Sequence, residues 1–206
     1  EGKFDDQVSA PADELFQPAG RLGFDQFRAG DVKEAKWGQV VAGDDGDPAL
    51  EDAAEAISVM RVRGAPLIGA TAAYGVALSL VDEASESRLE SACARLLVTR
   101  PTAVNLRWAL ERMHHRLAAL PAAQRREAAW AEAAALCDED VMLNQAIGRH
   151  GAELIQWHHE QQPRTVNVMT HCNAGWLATV DWGTALAPVY TAFDAGIPVH
   201  VWVSET

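Results

Sequence analysis

"TVNVMTHCNAGWLATVDWGTALAPVYTAFDAGIPVHVWV", residues 165–203, is the stretch that decides the fold. Short apolar runs at 166–170 and 199–203 predict two strands. The segment between them, "GTALAPVYTAFDAG", predicts a helix that Gly196 closes. A strand–helix–strand unit of this length joins parallel strands through a right-handed crossover. The sequence therefore predicts the start of a parallel α/β sheet.

The chain before this stretch is predicted to be mainly helical, with a helical domain over residues 48–123. Its first helix is expected to run from residue 48 to about residue 63, where Gly64 suits a left-handed helix end. Pro66 and Pro101 are each expected to occupy the first turn of a following helix. The helix after Pro66 is apolar almost all round, which predicts that it is buried.

A third region, residues 124–206, is predicted to contain a long helix and the beginning of a Rossmann-like domain. The helix is expected from about residue 126 to 160, with one apolar stripe formed by Leu136, Leu143, Ile147 and Leu154. Residues 1–47 form an irregular N-terminal segment in which "RLGFDQF" and "KWGQVVAG" are candidate short strands. The predicted fold class is thus α/β: a mainly helical N-terminal domain, then the start of a Rossmann-like parallel-sheet domain.

Composition narrows the functional class. The formal net charge is −12, with 17 Lys and Arg against 29 Asp and Glu, which argues against nucleic-acid binding. No uncharged apolar run is long enough to predict a membrane span, and the first residues lack the pattern of a signal peptide. The three cysteines form no CxxC motif, so neither a zinc site nor a disulfide framework is predicted. We expect a cytoplasmic protein with reduced thiols.

Two segments carry an Arg beside a predicted helix start. They are "RGAP", which includes Arg63, and "RPTAVN", which includes Arg100. Free N–H groups at a helix start favour an anion, and a guanidinium adds donors that match a phosphate. The alternative is that both are ordinary helix starts with solvated arginines.

The turn "THCNAG" follows the first strand, where open α/β sheets place their chemistry. Cys172 on such a turn can have a lowered thiol pKa, and Asn173 with backbone N–H groups could hold a substrate oxygen. The alternative is a structural cysteine, with His171 capping the turn. Cys93 and Cys137 lie in helical patterns and are expected to be packed thiols. The histidine pairs at 114–115 and 158–159 are expected on solvated helix surface, so no metal site is predicted.

Three motifs in order resemble one enzyme family. "VRGAPLIGATAAYGVAL", "RPTAVNLRWALERM" and "MTHCNAGWLATVDWGTALAPVYTAFDAGIPVHVWVSET" are similar to methylthioribose-1-phosphate isomerases, relatives of the regulatory subunits of a eukaryotic initiation factor. The resemblance covers residues 50–206. It implies conversion of 5-methylthioribose 1-phosphate to 5-methylthioribulose 1-phosphate in methionine salvage, without a cofactor. It also implies a homodimer in the full-length protein.

The resemblance assigns roles to individual residues as well. It implies that Arg63, Gly64, Ala65 and Arg100 bind the sugar phosphate and that Cys172 is the catalytic thiol. Its acid–base partner, an Asp, is expected beyond residue 206, so the chain is expected to be part of a longer protein. "VSET" departs from the family's usual "DET", with Ser204 in place of an acid. With few strands present, we expect the isolated chain to be inactive and to associate through its C-terminal strand.

Three alternatives stay open at this point. The substrate could be another pentose phosphate, such as ribose 1,5-bisphosphate or 5-deoxyribose 1-phosphate. The chain could instead belong to a non-catalytic regulatory subunit that binds a nucleotide or a sugar phosphate. Within the isomerase interpretation, either a proton or a hydride could move between C1 and C2.

Overall fold

The structure, a computed structural model, describes the backbone of residues 9–11 and residues 50–204 in full. The predictions made for residues 12–49, including the start of the first helix, lie outside the described residues. The described part divides into two compact units. We call residues 50–140 the helical unit, and residues 9–11 with 141–204 the sheet unit. The division falls inside one long helix, whereas the sequence placed its domain boundary at residue 124.

The helical unit is built around one buried helix. Its elements are α1 (Leu50–Ser58), α2 (Ala65–Ser79), α3 (Glu86–Leu97), α4 (Val104–Ala118) and the first part of α5 (Ala122–Gln161). Helix α2 packs against α1, α3 and α4. Almost every side chain from Ile68 to Ala77 is buried, because the helix carries no charged residue and small side chains on every face. This confirms the prediction of a buried apolar helix.

The starts and ends of these helices differ from the prediction in three places. Helix α1 ends at Ser58, and Met60, with a φ of 63°, takes the left-handed conformation that was expected of Gly64. Gly64 is extended instead, with φ −78° and ψ 139°, because it is the N-cap of α2. Pro66 does lie in the first turn of α2. Pro101 does not open α4, since Ala103 is the N-cap and the amide of Ala103 bonds back to the carbonyl of Arg100 at 3.0 Å.

Helix α5 is 40 residues long and confirms the predicted long helix, but not its apolar stripe. Leu136 is buried, whereas Leu143, Ile147 and Leu154 are exposed, Leu154 by 71%. In the sheet unit the buried positions of α5 are those of Asn144, Gly148, Ala152 and Ile155. The stripe prediction was therefore wrong for the second half of the helix.

The sheet unit contains β1 (Ser9–Pro11), β2 (Val166–Thr170), β3 (Val199–Val203) and α6 (Ala187–Asp194). Strands β2 and β3 are parallel, with Val166 opposite Val199 and Thr170 opposite Val203. This confirms the predicted strand–helix–strand unit, and Gly196 follows α6 with a φ of +77°. Strand β1 pairs with the other edge of β3 in the antiparallel sense, which the sequence did not predict. The order is β1-β3-β2, so β3 is an inner strand of the described sheet.

One face of this sheet forms the core with α5 and α6. The buried cluster consists of Ala152, Ile155, Val166, Val189, Ala192, Val199 and Val201. Helix α5 approaches α6 closely, because Gly148 and Gly151 face α6. A Cβ at Gly151 would lie 2.3 Å from Pro188 Cγ, and one at Gly148 would lie 2.7 Å from Thr191 Oγ1. Small residues, rather than large apolar ones, therefore set the spacing that holds α6 and the turn before it.

Candidate active site

Cys172 lies on the turn that directly follows β2, at the carboxyl end of the parallel strand pair. Its side chain is exposed, and its φ of 63° places a non-glycine residue in the left-handed region. Such a conformation is unfavourable for a side chain with a Cβ and persists only when the surrounding structure imposes it. The predicted position of this thiol at a strand end is thus confirmed, and its exposure is inconsistent with a buried structural role.

The loop between this turn and α6 is held by its own hydrogen bonds. The carbonyl of Ala174 accepts from the amides of Thr184 at 2.9 Å and Leu186 at 3.3 Å. Thr179 Oγ1 donates to the carbonyl of Asp181 at 2.9 Å and accepts from the amide of Gly183 at 3.0 Å. These bonds fold the loop back onto the residues just after Cys172, so the downstream end of the turn is fixed.

Aromatic stacking and close glycine contacts also stabilise the loop between Cys172 and α6. Trp176 stacks on Tyr190 of α6 with ring centroids 5.0 Å apart. Gly183 has a φ of +74°, and a Cβ there would lie 2.8 Å from the backbone of Gly175. Asn144 of α5 reaches the same loop, with Nδ2 donating to the carbonyl of Asp181 at 3.4 Å. The loop is therefore supported by both helices of the sheet unit.

Two buried polar atoms next to Cys172 have no partner among the described residues. They are Thr170 Oγ1 and Asn173 Nδ2. Thr170 is only 6% exposed. A buried donor without a partner costs free energy, so such atoms mark places where a ligand oxygen or a water completes the structure. Asn173 Nδ2 is thus an unpaired donor of the kind expected at this turn. Thr170 Oγ1 is a second unpaired polar atom there, which sequence analysis did not identify.

His171, the residue before Cys172, is joined to the neighbouring strand. Its Nδ1 is hydrogen-bonded to Ser204 Oγ, while the amide of Ser204 donates to the carbonyl of Thr170 at 3.1 Å. The alternative interpretation had His171 cap the turn, whereas its ring nitrogen Nδ1 contacts Ser204, the residue after β3. The contact with Ser204 follows from the parallel register, which the sequence alone did not supply.

The residues predicted to bind phosphate lie in the helical unit. Arg63 is exposed, Gly64 is the N-cap of α2 and Ala65 is its first residue. The amide of Ile68 bonds to the carbonyl of Gly64 at 2.9 Å, so the amides of Ala65 and Leu67 have no intrahelical acceptor, while Pro66 has no N–H. This arrangement offers backbone donors and the positive end of the helix dipole beside a guanidinium.

Arg100 is the other arginine that was predicted to bind phosphate. Its Nη1 is buried and has no hydrogen-bond partner in residues 50–204 or at the backbone of 9–11. The starts of α2 and α4 lie side by side, since a Cβ at Gly69 would be 3.1 Å from the carbonyl of Asn105. The structure thus brings together the helix starts that follow Arg63 and Arg100. Cys172 belongs to the other unit.

The other two cysteines lie within helices as predicted, whereas His114, His158 and His159 are half-buried and not fully solvated. Cys137 is fully buried, and Cys93 lies in α3, where burial raises the pKa of its thiol to about 11. His159 Nδ1 lies 2.8 Å from the carbonyl of Arg164, at the end of α5. No cluster of His, Cys, Asp and Glu in the described ranges has the geometry of a metal site. None of the helices described is both long and apolar enough to cross a bilayer.

Comparison with known proteins identifies the family. Residues 61–206 match the Initiation factor 2 subunit family. The chain belongs to this family. It is 62% identical over 157 residues to the methylthioribose-1-phosphate isomerase of Paramagnetospirillum magneticum, a match that covers 76% of this chain and 43% of the relative. The isomerase of Dechloromonas aromatica is 64% identical over 157 residues, with the same coverage of each chain.

Solved structures give two similar folds. One is 5-methylthioribose 1-phosphate isomerase from Pyrococcus horikoshii, with a TM-score of 0.64 and 40% identity over 73% of this chain and 42% of that one. The other is the delta subunit of translation initiation factor eIF-2B from A. fulgidus, with a TM-score of 0.63 and 39% identity over 74% of this chain and 45% of that one. The chain spans less than half the length of the curated relatives it matches.

Proposed function

We propose that this chain carries part of the active site of an aldose–ketose isomerase. The reaction is the conversion of 5-methylthioribose 1-phosphate to 5-methylthioribulose 1-phosphate, a step of methionine salvage. The observation that supports this most strongly is the identity of about 60% or more with relatives named methylthioribose-1-phosphate isomerase. The proposal includes a cytoplasmic homodimer whose sheet unit extends into a Rossmann-like domain, as the family resemblance implies.

Within this proposal the helical unit binds the phosphate of the substrate. Arg100 presents a buried Nη1 whose missing partner a phosphate oxygen would supply. Arg63 and the backbone amides of Gly64 and Ala65 add donors at the start of α2. These are the donor types that phosphate binding requires, a bidentate guanidinium and a helix N-terminus. No cofactor enters the proposal.

Cys172 is the residue proposed to act at C1 and C2 of the sugar. Its exposed thiol could exchange a proton with the substrate, while Asn173 Nδ2 and Thr170 Oγ1 supply donors for an oxygen on which charge develops. If a hydride moves instead, the same donors polarise the carbonyl that receives it. An Asp expected beyond residue 206 remains the proposed acid–base partner.

A regulatory subunit is the second candidate. The observation that favours it is the similarity to the eIF-2B delta subunit, which in TM-score nearly equals the similarity to the Pyrococcus isomerase. Fold similarity therefore does not separate the two functions. The higher identity with named isomerases and the strand-end thiol favour the enzyme. Other pentose phosphates remain alternative substrates.

An isomerase assay on the complete product of the gene tests the proposal. Wild type is expected to convert methylthioribose 1-phosphate, and Cys172→Ala should lower kcat by about 100-fold or more, the scale of an acid–base group. KM should change much less. Cys93→Ala, a thiol within α3, is the matched control and should retain full kcat. A protein without turnover that still binds a nucleotide or sugar phosphate would favour the regulatory subunit instead.

A further inference from the structure

Ser204 contacts the two residues that precede Cys172. Its amide donates to the carbonyl of Thr170 at 3.1 Å, and its hydroxyl is hydrogen-bonded to His171 Nδ1. We propose that Ser204, acting through His171, is a positioning residue for the Cys172 thiol. The assignment rests on the function proposed above, because it concerns the same turn, but it makes a claim about the thiol that can be measured without any turnover.

The turn needs support on both sides of Cys172. The left-handed conformation of this residue is unfavourable unless neighbouring contacts fix it. On the downstream side the carbonyl of Ala174 is held by the amides of Thr184 and Leu186. On the upstream side Thr170 pairs with Val203 in the sheet, and Ser204 adds one backbone and one side-chain contact. The chain is thus held immediately before and shortly after the thiol. The hydroxyl of Ser204 supplies the side-chain contact on the upstream side, to His171 Nδ1.

The bond to Ser204 also fixes the imidazole of His171. Because Nδ1 is engaged, the ring orientation is set and Nε2 is the nitrogen left for other contacts. A hydroxyl both donates and accepts, so Ser204 can hold the ring in either tautomer, whereas an ionised carboxylate at this position could only accept. The serine that replaces the family's usual acid is therefore a neutral partner for His171.

Thiol alkylation measures this support directly. The complete gene product is treated with iodoacetamide at pH 7, and the rate for each cysteine is followed by peptide mass spectrometry. In Ser204→Ala we expect the rate at Cys172 to fall about fivefold, the scale of one lost hydrogen bond. Cys172 is already exposed, so release of the turn adds little access, while the fixed presentation of the thiol by the turn is lost.

Four further variants separate positioning from general damage. Ser204→Thr keeps the hydroxyl and should react within about twofold of wild type. His171→Asn should slow Cys172 as much as Ser204→Ala, and the double variant should slow it no further, because both residues act through one contact. Ser91→Ala, on the exposed face of α3, is the control. The rates at Cys93 and Cys137 should be unchanged in every variant, which reports an intact fold.

The inference is wrong if Ser204→Ala leaves the rate at Cys172 unchanged, if Ser204→Thr is slowed equally, or if the two single effects add. An isomerase assay on the same preparations distinguishes the two proposals. An inactive protein with the expected alkylation pattern contradicts the proposed function alone. An active protein in which Ser204→Ala does not alter Cys172 contradicts the positioning role alone.

Discussion

Replacing Arg100 with Met should make the ligand-free protein more stable. Arg100 Nη1 is buried without a partner in the part of the chain that the structure describes. A buried donor left unpaired costs about 1–3 kcal/mol. Arg100 is only half-buried, so we expect the lower end of that range, about 1 kcal/mol. Met retains the apolar contacts of the arginine stem.

Phosphate should make wild type more stable than Arg100→Met. A ligand that binds only the folded state stabilises it by RT ln(1 + [L]/Kd), which is about 1.4 kcal/mol at a concentration ten times Kd. Wild type should gain that amount from inorganic phosphate, because an oxygen supplies the missing partner of Arg100 Nη1. Arg100→Met should gain little. The variant is therefore expected to be the more stable protein without phosphate and the less stable one with saturating phosphate.

Urea unfolding followed by circular dichroism measures both effects, with chloride replacing phosphate at constant ionic strength. Arg107→Met, an exposed arginine of α4, is the matched control and should change neither the stability nor the response to phosphate by more than about 0.5 kcal/mol. The reasoning fails if Arg100→Met is destabilised without phosphate. It fails equally if the variant and wild type gain the same free energy from phosphate.

Further predictions concern packing, capping and a thiol. Gly151→Ala should lower the urea midpoint, because a Cβ 2.3 Å from Pro188 Cγ costs about 1–3 kcal/mol of overpacking against about 1 kcal/mol of helix propensity gained. Ser85→Ala should cost about 1 kcal/mol on thermal unfolding, because Ser85 Oγ caps α3 by accepting from the amide of Arg88 at 3.2 Å, and Ser85→Thr should restore most of it. Burial raises the pKa of Cys93 from 9.0 to about 11. Between these pH values the thiol ionises in the unfolded chain but keeps its proton in the folded one, so the free energy of unfolding should fall as pH rises. Cys93→Ala should remove that part of the pH dependence in urea titrations.

Local patterns predicted the elements whose sequence signal is strong. The apolar composition of α2 leaves no face suited to water, so its burial followed from sequence. The change of period around Cys172 and the glycine at 196 defined β2, α6 and β3 without tertiary information. The position of Cys172 at a strand end followed from the same signals. Its contact with Ser204 required the register of β2 and β3, which depends on pairing across the sheet.

Strand β1 could not be predicted, because "SAP" contains no strand pattern and Pro11 argues against a central strand. Its position is decided by the free edge of β3, which accepts any short extended segment that lies beside it. This changes the expected mode of association for the chain. Strand β3 was expected to present an open edge, but in the described sheet it lies between β1 and β2, and β2 is at the edge.

The apolar stripe of α5 shows why size alone misleads in such a helix. The sequence rule selected Leu143, Ile147 and Leu154 because they are large and spaced at helical intervals. The structure buries the neighbouring face instead, where Gly148 and Gly151 allow α6 to approach until only small residues fit. A large side chain on that face would push α6 away and disturb the loop that follows Cys172, since Asn144 on the same face bonds to that loop. The residues of α5 that allow α6 to approach the loop after Cys172 are therefore small ones, which a search for large apolar residues passes over.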